Sequence, residues 1–407
     1  RETYVAKEEA YFFKLSKYED RIKELIELWR KNNGRGRIIL PNQFGKQLLL
    51  SKVLEIFLDK NPSSEVFIIT QNYSSSYQWN MWLYTQKLYN KCKAYSISYI
   101  LSNLSTFTKF PFLIIDNVTN ESLYSILKIP YKFLLSITSF YDLNYLKSLP
   151  IVGEITKEEA ISNKWINDYK EYKVIINVDD LDLYKEHDQK FYKYMKLFNY
   201  DLTLAMNCLS SKEVREEFSK LKNCKIELVN ACTFGVYREL KWRKDFVFFH
   251  PKKRELTEKI LEYNKFKRVI IFSPTIEESY KYGDIQYNSK LSDKQKFEAL
   301  KHINFPSPIL VSAVNDISHE IKSQFDVEII TCNNSSNILK ENRLKLIKEE
   351  GKIFTFVIKN TMEEAWYKLS TLDNDYITIT EKMLQRVLEG KEILEERIEG
   401  PEMIYNY

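Results

Sequence analysis

Short runs of branched and aromatic residues recur along the chain, and between them lie longer stretches with an apolar residue every three or four positions. Apolar runs with little alternation suit strands buried on both faces, and amphipathic stretches suit helices laid over them. Strands are predicted at 38–40, 66–70, 112–115 and 133–136, then at 174–178, 269–272, 309–312, 327–331 and 353–357. The first set ends near Leu149-Pro150 and the second resumes around Val174, so the pattern predicts an α/β protein with two domains, each a mostly parallel sheet flanked by helices. Between the sets, residues 181 to about 239 keep helical spacing without a strand, which predicts a helical insertion on the second domain. The boundaries follow as 1–165 for the first domain and 166–379 for the second, with a C-terminal helix and tail at 380–407. The charged amphipathic pattern of 380–399 suits either a solvated helix packed on the core or a helix that binds a partner.

Composition narrows the class. A chain of 407 residues with 44% apolar content can bury two cores. No run approaches the roughly 18 uninterrupted apolar residues that cross a bilayer, and Arg1-Glu2-Thr3-Tyr4 has no apolar signal core, so a soluble, intracellular protein without a membrane partner is expected. The five cysteines, Cys92, Cys208, Cys224, Cys232 and Cys332, are odd in number, scattered, and never in C-x-x-C spacing. They predict reduced, buried thiols; neither a disulfide framework nor a zinc site, nor any other structural metal, is expected. The histidines His187, His250, His302 and His319 stand apart from one another, which gives no support to a metal cluster or a histidine-based triad. With 61 basic against 56 acidic residues the net charge is only +5, so any nucleic-acid surface must be local.

One stretch carries recognisable chemistry. The strand run Arg37-Ile38-Ile39-Leu40-Pro41 flows into Asn42-Gln43-Phe44-Gly45-Lys46-Gln47 and then a leucine-rich helix, the layout of a phosphate-binding loop. Such a loop aims backbone N–H groups, a helix dipole and one ammonium at a triphosphate. Gly45 and Lys46 are in place, whereas Gln43 stands where a glycine is usual and Gln47 where a magnesium-ligating hydroxyl is usual. Only 9 glycines occur, about 2% against a usual share of about 7%, so lost motif glycines are expected to matter mechanically. Further on, Phe112-Leu113-Ile114-Ile115-Asp116-Asn117 is a strand ending in a carboxylate, fit for magnesium or simply a strand-end aspartate. Asn117 occupies the place of a glutamate base, and an amide cannot take a proton from water at neutral pH.

The order of further elements extends the picture. Leu15 to Ile22 contains Tyr18-Glu19; Val66 to Thr70 leads to Tyr77-Gln78-Trp79-Asn80; Leu134-Leu135-Ser136-Ile137-Thr138 follows Asp116. In the second half come Lys267 to Ser273, Leu291-Ser292-Asp293-Lys294-Gln295-Lys296, then Ile309-Leu310-Val311-Ser312-Ala313-Val314-Asn315-Asp316-Ile317-Ser318-His319-Glu320. Leu339-Lys340-Glu341-Asn342-Arg343, Gly351 to Val357 and Asn360-Thr361-Met362-Glu363-Glu364 close the series. In this order the segments resemble a superfamily 2 helicase or translocase core of the XPB/UvsW-like branch with degenerate ATPase motifs, over roughly residues 15–369. The resemblance implies two RecA-like domains, ATP with magnesium as ligands, and a nucleic-acid partner, DNA in preference to RNA, inside a larger protein complex. It gives Glu19, Asn42, Gln43, Gly45, Lys46, Gln47 and Glu320 to the nucleotide, Asp116 to magnesium, and Asn117, Arg343 and Lys340 to the catalytic positions. Ser136 and Thr138 become the hydroxyls that couple the nucleotide to the nucleic acid, and Gln78 and Trp79 backbone contacts. Residues 181–239 fall where such proteins carry a helical thumb.

Two surfaces remain open. Arg238, Lys241, Arg243, Lys244, Lys252, Lys253 and Arg254 interleave with Tyr237, Trp242, Phe246, Phe248 and Phe249, which suits phosphate contact with base stacking, through Arg243, Lys244 and Lys252 above all, or equally a solvated face over core aromatics. Lys87, Lys91 and Lys93 form a second basic patch, and Trp79 suits core as well as contact. Two functions compete: a motor fold that binds nucleic acid or scaffolds a complex with ATP hydrolysis lost or weak, and an active translocase using Lys46, Asp116, Ser136, Thr138 and Arg343. A nuclease or other metal enzyme finds no clustered acids or histidines to build on.

Overall fold

All nine apolar runs fall on strands of the computed structural model, and every strand pair among the described residues is parallel. The structure describes residues 2–41, 44, 46–118, 120, 122–139, 148–314, 324–371 and 376–391, and the backbone alone at 2–16, 74, 337, 338, 341 and 342. By its contacts the chain divides into two units, Arg1–Asn167 with Ser336–Glu341 and Thr371–Asp373, and Asp168–Ser335 with Asn342–Ser370 and Asn374–Tyr407.

The first unit runs α1 (Glu2–Lys31), β1 (Arg35–Ile39), α2 (Lys46–Lys60), β2 (Val66–Thr70), α3 (Tyr73–Thr85), β3 (Cys92–Ser96), α4 (Ile97–Ser102), β4 (Phe110–Asp116), α5 (Leu123–Ile126), β5 (Tyr131–Thr138), β6 (Ile151–Glu154) and α6 (Lys157–Ser162). Its sheet has the order β3-β2-β4-β5-β1-β6. Strand β5 thus lies between β1, which leads into the glycine-lysine loop, and β4, which ends in Asp116. One face of this sheet packs on Ile22, Leu25, Leu49, Val53, Ile68 and Ile114, the other on Ile69, Ile97, Ile100, Leu113 and Ile126. The turn from α1 into β1 needs Gly34: φ is +65°, and a Cβ there would lie 2.5 Å from the Phe133 ring.

The remaining elements are β7 (Lys170–Ile176), α7 (Leu181–Met195), α8 (Leu202–Ser210), α9 (Lys212–Leu221), α10 (Ile226–Phe249), α11 (Pro251–Tyr263), β8 (Arg268–Phe272), α12 (Ile276–Ser279), β9 (Ile285–Tyr287), α13 (Asp293–Ile303), β10 (Ile309–Ala313), β11 (Phe325–Ile330), α14 (Asn337–Leu344), β12 (Ile347–Ile358), α15 (Met362–Thr371), β13 (Ile377–Thr380) and α16 (Glu381–Leu388). The second sheet has the order β13-β7-β12-β11-β8-β10-β9. Helix α13 starts at a capping box, Ser292 with Gln295, which answers two otherwise orphaned N–H groups. The expected pair of RecA-like α/β domains is therefore present, with helices α7 to α10 inserted after β7.

Four strands lie outside the predicted set: β3, β6, β9 and β13, which are the edges of the two sheets. The segment 237–254, read as a contact surface or as a solvated face over core aromatics, lies on the two long helices α10 and α11 of the second unit, whose Val229, Val236, Val247, Leu256 and Ile260 join that unit's main core. The C-terminal helix is observed as α16; residues 392–407 lie outside the described ones.

Candidate functional site

Helix α2 begins at Lys46, just past the carboxyl end of β1, where parallel α/β sheets present their ligand-binding loops. Asn42, Gln43 and Gly45 lie outside the described residues. Phe44 between them is buried, its N–H bonded to the Pro41 carbonyl. The Tyr18 hydroxyl donates to the Phe44 carbonyl at 3.1 Å, and the rings of Tyr18, Phe44 and Trp165 meet at 4.8, 5.8 and 6.0 Å. This cluster ties α1 to the loop through the residue before Glu19, which is itself half-buried.

The centre of the site is Asp116. Its Oδ1 accepts from the Lys46 ammonium at 2.7 Å and its Oδ2 from the Trp79 indole N–H at 2.7 Å. Lys46 and Asp116 are each 2% exposed and Trp79 1%. A buried ammonium is tolerable only beside an opposite charge, and a buried carboxylate only with its lone pairs answered. The three side chains meet because β4 brings Asp116 to its carboxyl end, α2 starts with Lys46, and α3 turns Trp79 inward; Gln78, next along, is half-buried, as is Gln47 in α2.

Asn117, immediately after, has φ +46°. Among non-glycine residues asparagine tolerates this left-handed conformation best. Its N–H bonds to the Ile137 carbonyl at 3.0 Å and its Oδ1 accepts from the Ser139 N–H at 2.9 Å, so the side chain fastens the end of β4 to the end of β5. The structure gives Asn117 a backbone-fastening role.

Register separates the two hydroxyls from this cluster. Asp116 pairs with Ile137 and Ile115 with Ser136. Alternation along a strand then puts Ser136 and Thr138 on the face of Ile115 and Leu134, opposite the Asp116 carboxylate, and both are buried.

In the second unit, Arg343 is buried on α14, donating from Nη1 to the Cys332 carbonyl at 3.2 Å with its guanidinium 4.6 Å from the Phe272 ring centre. Lys340, one turn earlier on the same helix but grouped by its contacts with the first unit, is also buried. Asn315 and Glu320 lie outside the described residues. Sequence reasoning missed a buried network nearby: Lys253 Nζ donates to Glu363 Oε1 and to the Thr331 carbonyl at 2.7 Å, while Asn333 Nδ2 reaches the same Oε1 at 3.1 Å and the Phe356 carbonyl at 2.7 Å. The Ile358 N–H completes it on Glu363 Oε2 at 3.0 Å. Its only sequence signal was the Thr361-x-Glu363-Glu364 helix start.

Of the nucleic-acid contacts expected on α10 and α11, the one at Arg243 is corrected by its burial. Arg243 is 0% exposed, in an ion pair with Asp188 at 2.8 Å and 4.1 Å from the Phe191 ring centre. Its charge is used between α10 and α7, where water and phosphate have no access. Lys244 is half-buried over the Trp366 ring, and burial, reinforced by Arg243, pushes its ammonium below the ordinary lysine value. Lys252 bonds to the Asn177 carbonyl and lies 3.5 Å from Glu381. Trp79, given above as contact or core, is core.

Magnesium asks for about six oxygen donors in octahedral array. At nucleotide sites it keeps several waters and takes one or two carboxylates with phosphate oxygens, and here the Asp116 carboxylate has an ammonium on one oxygen and an indole N–H on the other.

No family model and no curated protein matches the chain. Solved structures similar to it include the Pyrococcus furiosus Hef helicase domain, at 12% identity and a TM-score of 0.35 over 85% of this chain and 97% of that one. The ATP-dependent Type ISP restriction-modification enzyme LlaBIII bound to DNA is similar at 13% identity and a TM-score of 0.40, over 89% of this chain and 31% of that one. S. cerevisiae Dbp5 bound to RNA and ADP BeF3 is similar at 9% identity and 0.36, over 91% of each chain.

Proposed function

We propose that the chain is a superfamily 2 helicase-type protein of the XPB/UvsW-like branch, with ATP hydrolysis lost or weak, that serves as a nucleic-acid-binding or scaffold subunit of a DNA-transaction or transcription complex. On this reading residues 1–165 and 166–379 correspond to the two motor domains, and DNA is the preferred nucleic acid. The observation that carries it is Asp116: the carboxylate at the magnesium position is held inside the protein by Lys46 and Trp79. The lysine meant for phosphate is thereby satisfied without phosphate. Asn117 supports the same reading, because loss of a general base alone lowers turnover by about 10²–10⁴-fold.

Two measurements on the intact chain test it. Isothermal titration with ATP and magnesium is expected to give little or no heat, unchanged in a Lys46→Ala variant whose folding is verified by circular dichroism. A nucleic-acid-stimulated phosphate-release assay is expected to stay at background. Turnover that depends on Lys46 would overturn the proposal in favour of an active translocase.

A further inference from the structure

Helix α3 is amphipathic in an unusual sense. Its sequence, Tyr73-Ser74-Ser75-Ser76-Tyr77-Gln78-Trp79-Asn80-Met81-Trp82-Leu83-Tyr84-Thr85, contains no charged residue, although one side faces solvent. Trp79 and Leu83 are buried at 1% and 0%, with Ser75 and Ser76 on the same side. Tyr73, Tyr77, Met81 and Tyr84 are exposed at 39, 50, 47 and 70%. At about 100° per residue these four fall within roughly 80° of arc, so they form one stripe opposite the buried face. Surface helices ordinarily set charge there. Tyrosine and methionine without charge mark the centre of a protein–protein interface.

Charge around the stripe is equally one-sided. Between Glu65 and Asp116 the chain has no acidic residue, while Lys87, Lys91, Lys93 and Lys109 are all exposed. The first three lie past the end of α3, in and before edge strand β3, where Lys93 lies over the ring of exposed Tyr89. We propose that the outer face of α3 is a docking surface for an acidic protein segment that lays an apolar ridge on the tyrosine stripe and sets its carboxylates against these lysines. A second copy of the chain would bring the same lysines against themselves, which repels. Single-stranded nucleic acid needs cations alongside the stacked rings, whereas α3 has none and the lysines gather beyond one end.

The test uses the full chain and a fluorescein-labelled 18-residue synthetic helix with leucine on one face and glutamate elsewhere, beside its glutamine counterpart and a 20-nucleotide oligothymidine. Fluorescence polarisation at low salt is expected to show the glutamate peptide binding at least tenfold more tightly than the glutamine one. Tyr77→Ser with Tyr84→Ser should weaken it at least tenfold, and so should Lys87→Glu with Lys91→Glu and Lys93→Glu, with the melting temperature unchanged because all five side chains are exposed. The proposal fails if the glutamate peptide does not bind or if both variant sets bind it as the native chain does. It also fails if the tyrosine changes abolish oligothymidine binding instead, or dissolve a dimer of the chain.

Discussion

At Asp116 an ammonium and an indole N–H converge on one buried carboxylate, and the two bonds differ in what their loss should do. Lys46→Ala leaves a buried charge without its counterion and is expected to destabilise the first unit by about 3–5 kcal/mol, whereas Lys46→Met with Asp116→Leu should recover that loss except for the about 1–3 kcal/mol of a Trp79 N–H left without its acceptor. Trp79→Phe keeps the ring and loses the N–H, for about 1–3 kcal/mol. Urea denaturation measures all three; a double variant no better than Lys46→Ala would show that the pair is held for another reason. Lys244 makes a pH-dependent case. Burial, then the charge of Arg243, lowers its folded pKa below the ordinary 10.5. While pH is below the folded pKa both states carry the proton and the folded state is penalised in full; as pH rises from there to 10.5 the folded state sheds it first and the penalty lapses. Lys244→Met should therefore be the more stable protein at pH 7, with an advantage that shrinks toward pH 10.5 in thermal melts. Equal melting temperatures at pH 7 would contradict it. Thiols at this scale are graded too: burial pushes the Cys92 thiol up to about 12, so an aromatic disulfide reagent should label half-buried Cys224 and Cys232 first and Cys92 only on unfolding.

Elements were legible in proportion to how deeply they are buried. The strands inside each sheet, such as β2 with Val66-Phe67-Ile68-Ile69-Thr70, are apolar on both faces and announce themselves as runs. The edge strands do not: β3 alternates buried and exposed positions, β6 has no fully buried residue, and β9 is three residues long. Charge misled at α10 for a related reason. Arginine and tryptophan interleaved on a helix look like a contact surface until packing decides which side turns in, and at Arg243 the packing of α7 decided. The same limit applies to the site, since Lys46 and Asp116 were readable from position while the hand-off of Asp116 Oδ2 to Trp79 required the tertiary structure. Arg243→Ala is accordingly expected to destabilise the helical insertion by about 3–5 kcal/mol. The salt slope of any nucleic-acid binding should stay as it is, since a slope reduced by about one would restore Arg243 as a phosphate contact.

For the whole molecule, the separation of the cores makes a prediction that neither unit makes alone. Among the described residues, the first unit's apolar clusters draw on residues between Tyr18 and Ile166, and the second unit's on residues from Tyr169 onward. Each core is contiguous within its own unit, the condition under which a chain melts in separable steps and a single unfolding free energy loses meaning. Calorimetry is thus expected to show two transitions, or one broadened beyond a two-state fit. Variants assign them: Trp79→Phe should lower one midpoint and leave the other, and Arg243→Ala should do the converse, with the double variant lowering each midpoint by its own single-variant shift. Distant sites that share no partner add in this way to within about 0.5 kcal/mol. A single sharp transition moved by either substitution would mean that the two cores unfold as one cooperative body.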